Sequence, residues 1–129
     1  MERLELKFSD AKTALGTLDE IMREPFSIIV RDAAIQRFKY TFEAFWKFLK
    51  EYLKEKGGII ANSPKSVFKE LLPLAFVTPD KTTALLEMTD KRNETSHTYK
   101  ANVAQAIYEK ISEYCALMKE LLQKFEIKI

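Results

Sequence analysis

One cysteine and one histidine in 129 residues exclude two kinds of site at once. Cys115 has no second cysteine with which to form an internal disulfide, and Cys115 with His97 is too small a ligand set for a structural zinc within one chain. No metal or cofactor is expected. Three glycines and four prolines are too few for an array of short strands and tight turns. No window approaches the roughly 20 consecutive apolar residues that a bilayer crossing requires, and MERLELKFSD lacks the apolar core of a secretory signal. The chain is therefore expected to begin near Met1, to stay in the cytoplasm and to engage no membrane. An excess of one charge is also missing: 21 basic and 19 acidic side chains leave +2. The whole surface is no nucleic-acid clamp, so any contact with RNA or a nucleotide has to be local.

What is present is a helical pattern. An apolar fraction of 47% with 31% charge describes a globular chain, and its length suits one core, so residues 1–129 are expected to form a single domain. Leu4, Phe8, Ala11, Leu15, Leu18 and Met22 make the stripe of a first helix, which should stop before Pro25. A second helix is predicted from about Ser27 to Lys56, closing at Gly57-Gly58. Its apolar residues, from Ile35 through Phe38, Phe42, Phe45, Trp46 and Leu49 to Leu53, span an arc too broad for one neighbour to cover. Ser63-Pro64 and Thr78-Pro79 are start signals for a third and a fourth helix, a hydroxyl at the N-cap and proline in the first turn. The third should end or kink near Pro73. Asn102, with Gln105 three residues on, is the predicted N-cap of a fifth helix whose stripe runs from Val103 to Phe125. The predicted fold is all-α, an up-and-down antiparallel bundle of about five helices.

Between the fourth and fifth helices lies RNETSHTY, Arg92 to Tyr99, where a guanidinium, an amide, an imidazole and a phenol fall within eight residues. That set suits phosphate chemistry. Arginine offers a planar, permanently charged fork, and histidine exchanges a proton near neutrality. A metal-independent ribonuclease needs a base for the 2′-hydroxyl, an acid for the leaving oxygen and positive charge at phosphorus. Arg92 and His97 are the candidate catalytic or phosphate-binding pair, with Asn93 orienting either. On an unbroken helix Arg92 and His97 would point about 140° apart, while Arg92 and Tyr99 would share a face. Arg92 and His97 can meet only if the helix ends between them, expected near Thr95 or Ser96, or if a second subunit supplies one of them.

The spacing from Arg92 through His97 to Tyr99 resembles the R-x4-H-x-Y motif of HEPN ribonuclease toxins, the partners of minimal (MNT) nucleotidyltransferases. RDAAIQRFKYTFEAFWKFLKEYL, Arg31 to Leu53, together with SPKSVFKELL, resembles the branch known as nucleotidyltransferase substrate-binding proteins, which also carries an RN…SHTY segment. The resemblance implies a HEPN-like helical domain that forms a homodimer, with the Arg92 and His97 motifs of both subunits near the interface and a separately encoded MNT-type nucleotidyltransferase as partner. In the substrate-binding branch the motif would hold a nucleotide or phosphate. In the toxin branch Arg92 and His97 would cut RNA, and Tyr99 would be the acceptor of a silencing AMP.

The other conspicuous residues have plainer readings. The aromatic run from Phe38 to Phe48 is expected to pack the core, except Tyr40, which faces the polar side with Gln36, Glu43 and Lys47. Lys47, Lys50 and Lys54, offset by Glu43, Glu51 and Glu55, read as a solvated face. Cys115 should behave as a small apolar residue.

Overall fold

The computed structural model describes residues 2–129. Five α-helices follow one another: α1 (Glu2–Met22), α2 (Ile28–Gly57), α3 (Pro64–Leu71), α4 (Pro79–Glu94) and α5 (Ala101–Glu126), with a 3-10 turn at Thr95–His97 between the last two. No strand occurs among the described residues.

Local chemistry sets most boundaries. The Ser27 hydroxyl accepts from the Val30 N–H (3.0 Å) at the start of α2, and Gly58, at φ 64°, closes it by donating to the Lys54 carbonyl (3.1 Å); only glycine takes that left-handed conformation without steric cost. Ser63 and Ser66 cap the start of α3 reciprocally, and Thr78 caps α4 ahead of Pro79. The α3–α4 connection turns through Ala75 at φ 63°, a conformation that strains a residue bearing a Cβ. The predicted Asn102 cap is not used. The Lys100 carbonyl already accepts from the Val103 and Ala104 N–H groups (both 3.0 Å), so α5 begins one residue before Asn102, without a side-chain cap.

The broad arc of α2 is covered from three sides. α1 runs antiparallel to it, tied by the Thr41 hydroxyl donating to the Ala14 carbonyl (3.0 Å) and by Arg37 donating to the Thr17 carbonyl (2.8 Å). α5 lies alongside, Phe38 stacking on Tyr114 (5.9 Å between ring centroids) and Phe48 meeting Phe125 edge-on (5.8 Å). The short α3 inserts Phe68 against Phe42 and Phe45. Phe38, Phe42, Phe45, Phe48, Phe68 and Phe125 are almost wholly shielded from solvent, each stabilising the fold by roughly 1.5–3 kcal/mol through burial. Cys115 is buried as expected, and burial raises its thiol pKa above the ordinary value, the reverse of what a nucleophilic thiol requires.

One expectation for α2, a solvated Glu51, needs correction, and two take a finer form. Trp46 is only half-buried, with Lys50 over its ring (5.8 Å) and its indole N–H shielded but unbonded. Glu51 is not solvated: it is buried and paired with Arg3 (2.8 Å). Tyr40, though partly exposed, hydrogen-bonds through its hydroxyl to Thr17 of α1.

Candidate functional site

α4 ends between Arg92 and His97, as the geometry of the motif requires. Thr95 makes the break. Its hydroxyl donates to the Arg92 carbonyl (2.7 Å) and accepts from Arg92 Nη1 (3.2 Å). One buried side chain thus closes the last turn of α4 and holds the guanidinium. Thr95–His97 continue as a 3-10 turn, and the Lys100 N–H donating to the His97 carbonyl (3.1 Å) returns the chain into α5.

The turn separates the four motif residues into two groups. Arg92 is half-buried in the seam between α4 and α2, where Nε pairs with Glu43 Oε2 at 3.7 Å, too far for a hydrogen bond; Nε is buried without a hydrogen-bond acceptor. His97 and Tyr99 are exposed, their rings edge to face at 6.2 Å, with the Lys100 ammonium 5.8 Å from the Tyr99 ring. Among the described residues the polar partners of Arg92 are Thr95 and Glu43, not His97. Asn93 is exposed, and its carbonyl accepts from Ser96; its amide bonds neither Arg92 nor His97. The single chain therefore presents a held guanidinium and a free imidazole on either side of a helix end.

Beside the turn runs an open groove of about 300 Å³, walled by Asp32, Gln36 and Lys39 of α2 and by Thr95, Thr98 and Tyr99. Thr95 belongs to both the groove and the Arg92 contact, so the two are continuous. No group of three or more His, Cys, Asp or Glu side chains among the described residues is placed to hold a metal ion.

Sequence reasoning missed Glu43, assigned above to a solvated face, and Thr95. On α2, Glu43 follows Gln36 and Lys39 at helical spacing, a pattern that an exposed face shares. Only the tertiary approach of α4 turns that face into the wall of a site. For Thr95 a signal existed, since a hydroxyl three residues beyond an arginine can bond back to the helix it ends.

A five-helix domain whose arginine and histidine flank a helix break defines a class of helical proteins more narrowly than its fold alone. The chain belongs to the family described as nucleotidyltransferase substrate binding protein like, whose model matches residues 6–127. Among solved structures it is similar to a protein from Thermus thermophilus at 43% identity, covering 88% of this chain and 97% of that one, TM-score 0.84. Two more distant likenesses share the fold. One is a chain from a mutant of the toxin-antitoxin pair MntA-HpeT (14% identity, 98% and 99% coverage, TM-score 0.79). The other is a Haemophilus influenzae protein described as revealing the fold of a substrate binding domain of a nucleotidyltransferase (24%, 97% and 98%, 0.68). No curated protein matches the chain. Among the described residues no helix is long and apolar enough to cross a membrane.

Proposed function

We propose that the chain, as a single domain over 1–129, is the substrate-binding subunit of a cytoplasmic nucleotidyltransferase pair. It forms a homodimer, docks a separately encoded MNT-type enzyme, and binds nucleotide or phosphate through Arg92 and His97. The observation that carries this reading is the Arg92 guanidinium, held by Thr95 at the end of α4 beside the open groove that Thr95 also lines. A phosphate oxygen is the acceptor that a guanidinium fits best. The separation of Arg92 from His97 within one protomer favours a second copy that completes the site. Exposed Phe26, Ile28 and Ile29 at the start of α2 provide apolar surface at the end of the helix that walls the groove.

The test is co-expression with a separately encoded MNT-type nucleotidyltransferase, followed by light scattering. A complex containing two copies of this chain is expected. A strictly monomeric chain that elutes apart from the enzyme would remove both the dimer and the pairing.

A second reading is favoured by His97, whose imidazole is exposed and free of protein hydrogen bonds. As a metal-independent ribonuclease, the site would use His97 to take the 2′-hydroxyl proton as that oxygen attacks phosphorus. A cyclic phosphate forms, the 5′-oxygen leaves with a proton, Arg92 stabilises the phosphorane charge and Asn93 orients it. Tyr99, 78% exposed, would be the AMP acceptor, its oxygen displacing pyrophosphate from ATP on the partner enzyme. RNA incubated in EDTA with the protein and with His97→Ala decides this: cleavage lost in the variant supports it, and equal cleavage or none from either sinks it.

A further inference from the structure

The groove beside the motif turn has a composition that phosphate binding by Arg92 and His97 leaves unexplained. Asp32, Gln36 and Lys39 stand at spacings of four and three on α2, so they share one face, and that face looks across to Thr98 and to the exposed ring of Tyr99. Asp32 has one carboxylate oxygen engaged by Arg31 (3.1 Å) and the other without a partner. Lys39 is half-buried, yet among the described residues it makes neither a hydrogen bond nor an ion pair.

One carboxylate and one ammonium cancel, so the groove is no trap for a bare anion; Asp32 would repel one. It asks instead for a molecule with a donor for Asp32, a donor and acceptor side by side for the Gln36 amide, a flat face for Tyr99 and an anionic end for Lys39. Nucleobases that carry an exocyclic amino group beside a ring nitrogen have that pattern. Amides pair with adenine in this way and, turned over, with the N3–H and carbonyl of uracil, so discrimination falls to Asp32, whose carboxylate accepts from an exocyclic amino group and repels the carbonyls of uracil. The volume of about 300 Å³ is at the small end of ligand sites, room for one nucleotide.

We propose that this groove is a base-recognition subsite for one amino-bearing nucleotide, adenylate foremost. The base lies against Tyr99, its amino edge is read by Asp32 and Gln36, and its anionic backbone meets Lys39. The inference rests on the reading that Arg92 and His97 hold a phosphate, since Thr95 joins the groove to Arg92. The nucleotide can arrive free or as one residue of an RNA strand; the recognised chemistry is the same.

Calorimetric titration of the purified full-length protein with AMP, UMP, inorganic phosphate and hexaadenylate tests it. AMP is expected to bind about tenfold more tightly than UMP or phosphate. Asp32→Asn should abolish the preference for AMP over UMP, Lys39→Ala should weaken AMP about fivefold, and neither should move the melting temperature. Hexaadenylate binding more tightly than AMP identifies a strand as the source and equal binding a free nucleotide; either upholds the subsite. If AMP and UMP bind alike, if Asp32→Asn leaves the preference intact, or if neither AMP nor hexaadenylate binds, the inference is overturned. Loss of phosphate binding in Arg92→Ala alongside that first result would leave the Arg92 reading standing. AMP preference that survives both Arg92→Ala and His97→Ala would do the opposite.

Discussion

The two halves of α2 lie in opposite surroundings. Toward its C-terminus Phe48, Leu49, Tyr52 and Leu53 enter a cluster with Phe76 and Phe125, where Tyr52 meets Phe125 edge-on at 4.6 Å and the buried carboxylate of Glu51 has its cation in Arg3. Toward its N-terminus Asp32, Gln36, Lys39 and Glu43 border the motif turn, where a guanidinium nitrogen lacks an acceptor and Lys39 lacks a partner. The packed half, the Trp46 indole N–H apart, satisfies its buried polar groups. The other leaves a guanidinium nitrogen and an ammonium open beside a groove.

The comparison can be broken at its packed end first. Phe48→Ala removes a fully buried ring wedged between Phe8, Tyr52 and Phe125 and should cost about 3–5 kcal/mol, read as a lowered urea midpoint. A loss below about 1 kcal/mol would mean that this end is not the stabilising half. Ala75→Gly sharpens the same end. Ala75 carries the left-handed turn that brings Phe76 into the cluster, and relieving its Cβ should raise stability by about 1 kcal/mol; an unchanged midpoint would deny the strain.

A third effect lies under the open half and appears only in alkali. Burial, with Glu87, Glu113, Glu94 and Asp90 adding to it, pushes the Tyr114 phenol up to about 12 from 10.0. Because the folded value is the higher, its contribution is intact below pH 10 and is lost between pH 10 and 12, where the unfolded chain gives up the proton first. Tyr114→Phe should flatten that part of the stability profile. Identical alkaline slopes in the two proteins would show that Tyr114 is less isolated from water than its packing on Phe38 implies.

The packed half was largely legible in the sequence because short-range chemistry specifies it. Ser27, Gly58, Ser63-Pro64 and Thr78-Pro79 act within a few residues of the boundaries they set, and apolar spacing identified the buried phenylalanines of α1, α2 and α5, though not Phe68 of α3. The break before His97 was legible too, from the angle between Arg92 and His97 on a helix. What sequence did not disclose depends on distant partners: Glu43 and Glu51 look alike on a helical wheel, yet one borders Arg92 of α4 and the other is sealed by Arg3 of α1. The Asn102 cap failed for a local reason, since the turn through Lys100 had already supplied the first acceptor of α5.

Trp46 is the only tryptophan, and it lies on α2 one helical turn beyond Glu43. Its emission therefore arises from a single, partly shielded indole at the boundary between the two halves. That makes the unlabelled protein its own optical reporter: a shift in intensity or wavelength on adding a nucleotide or the proposed nucleotidyltransferase comes from one known address, without any dye or engineered label.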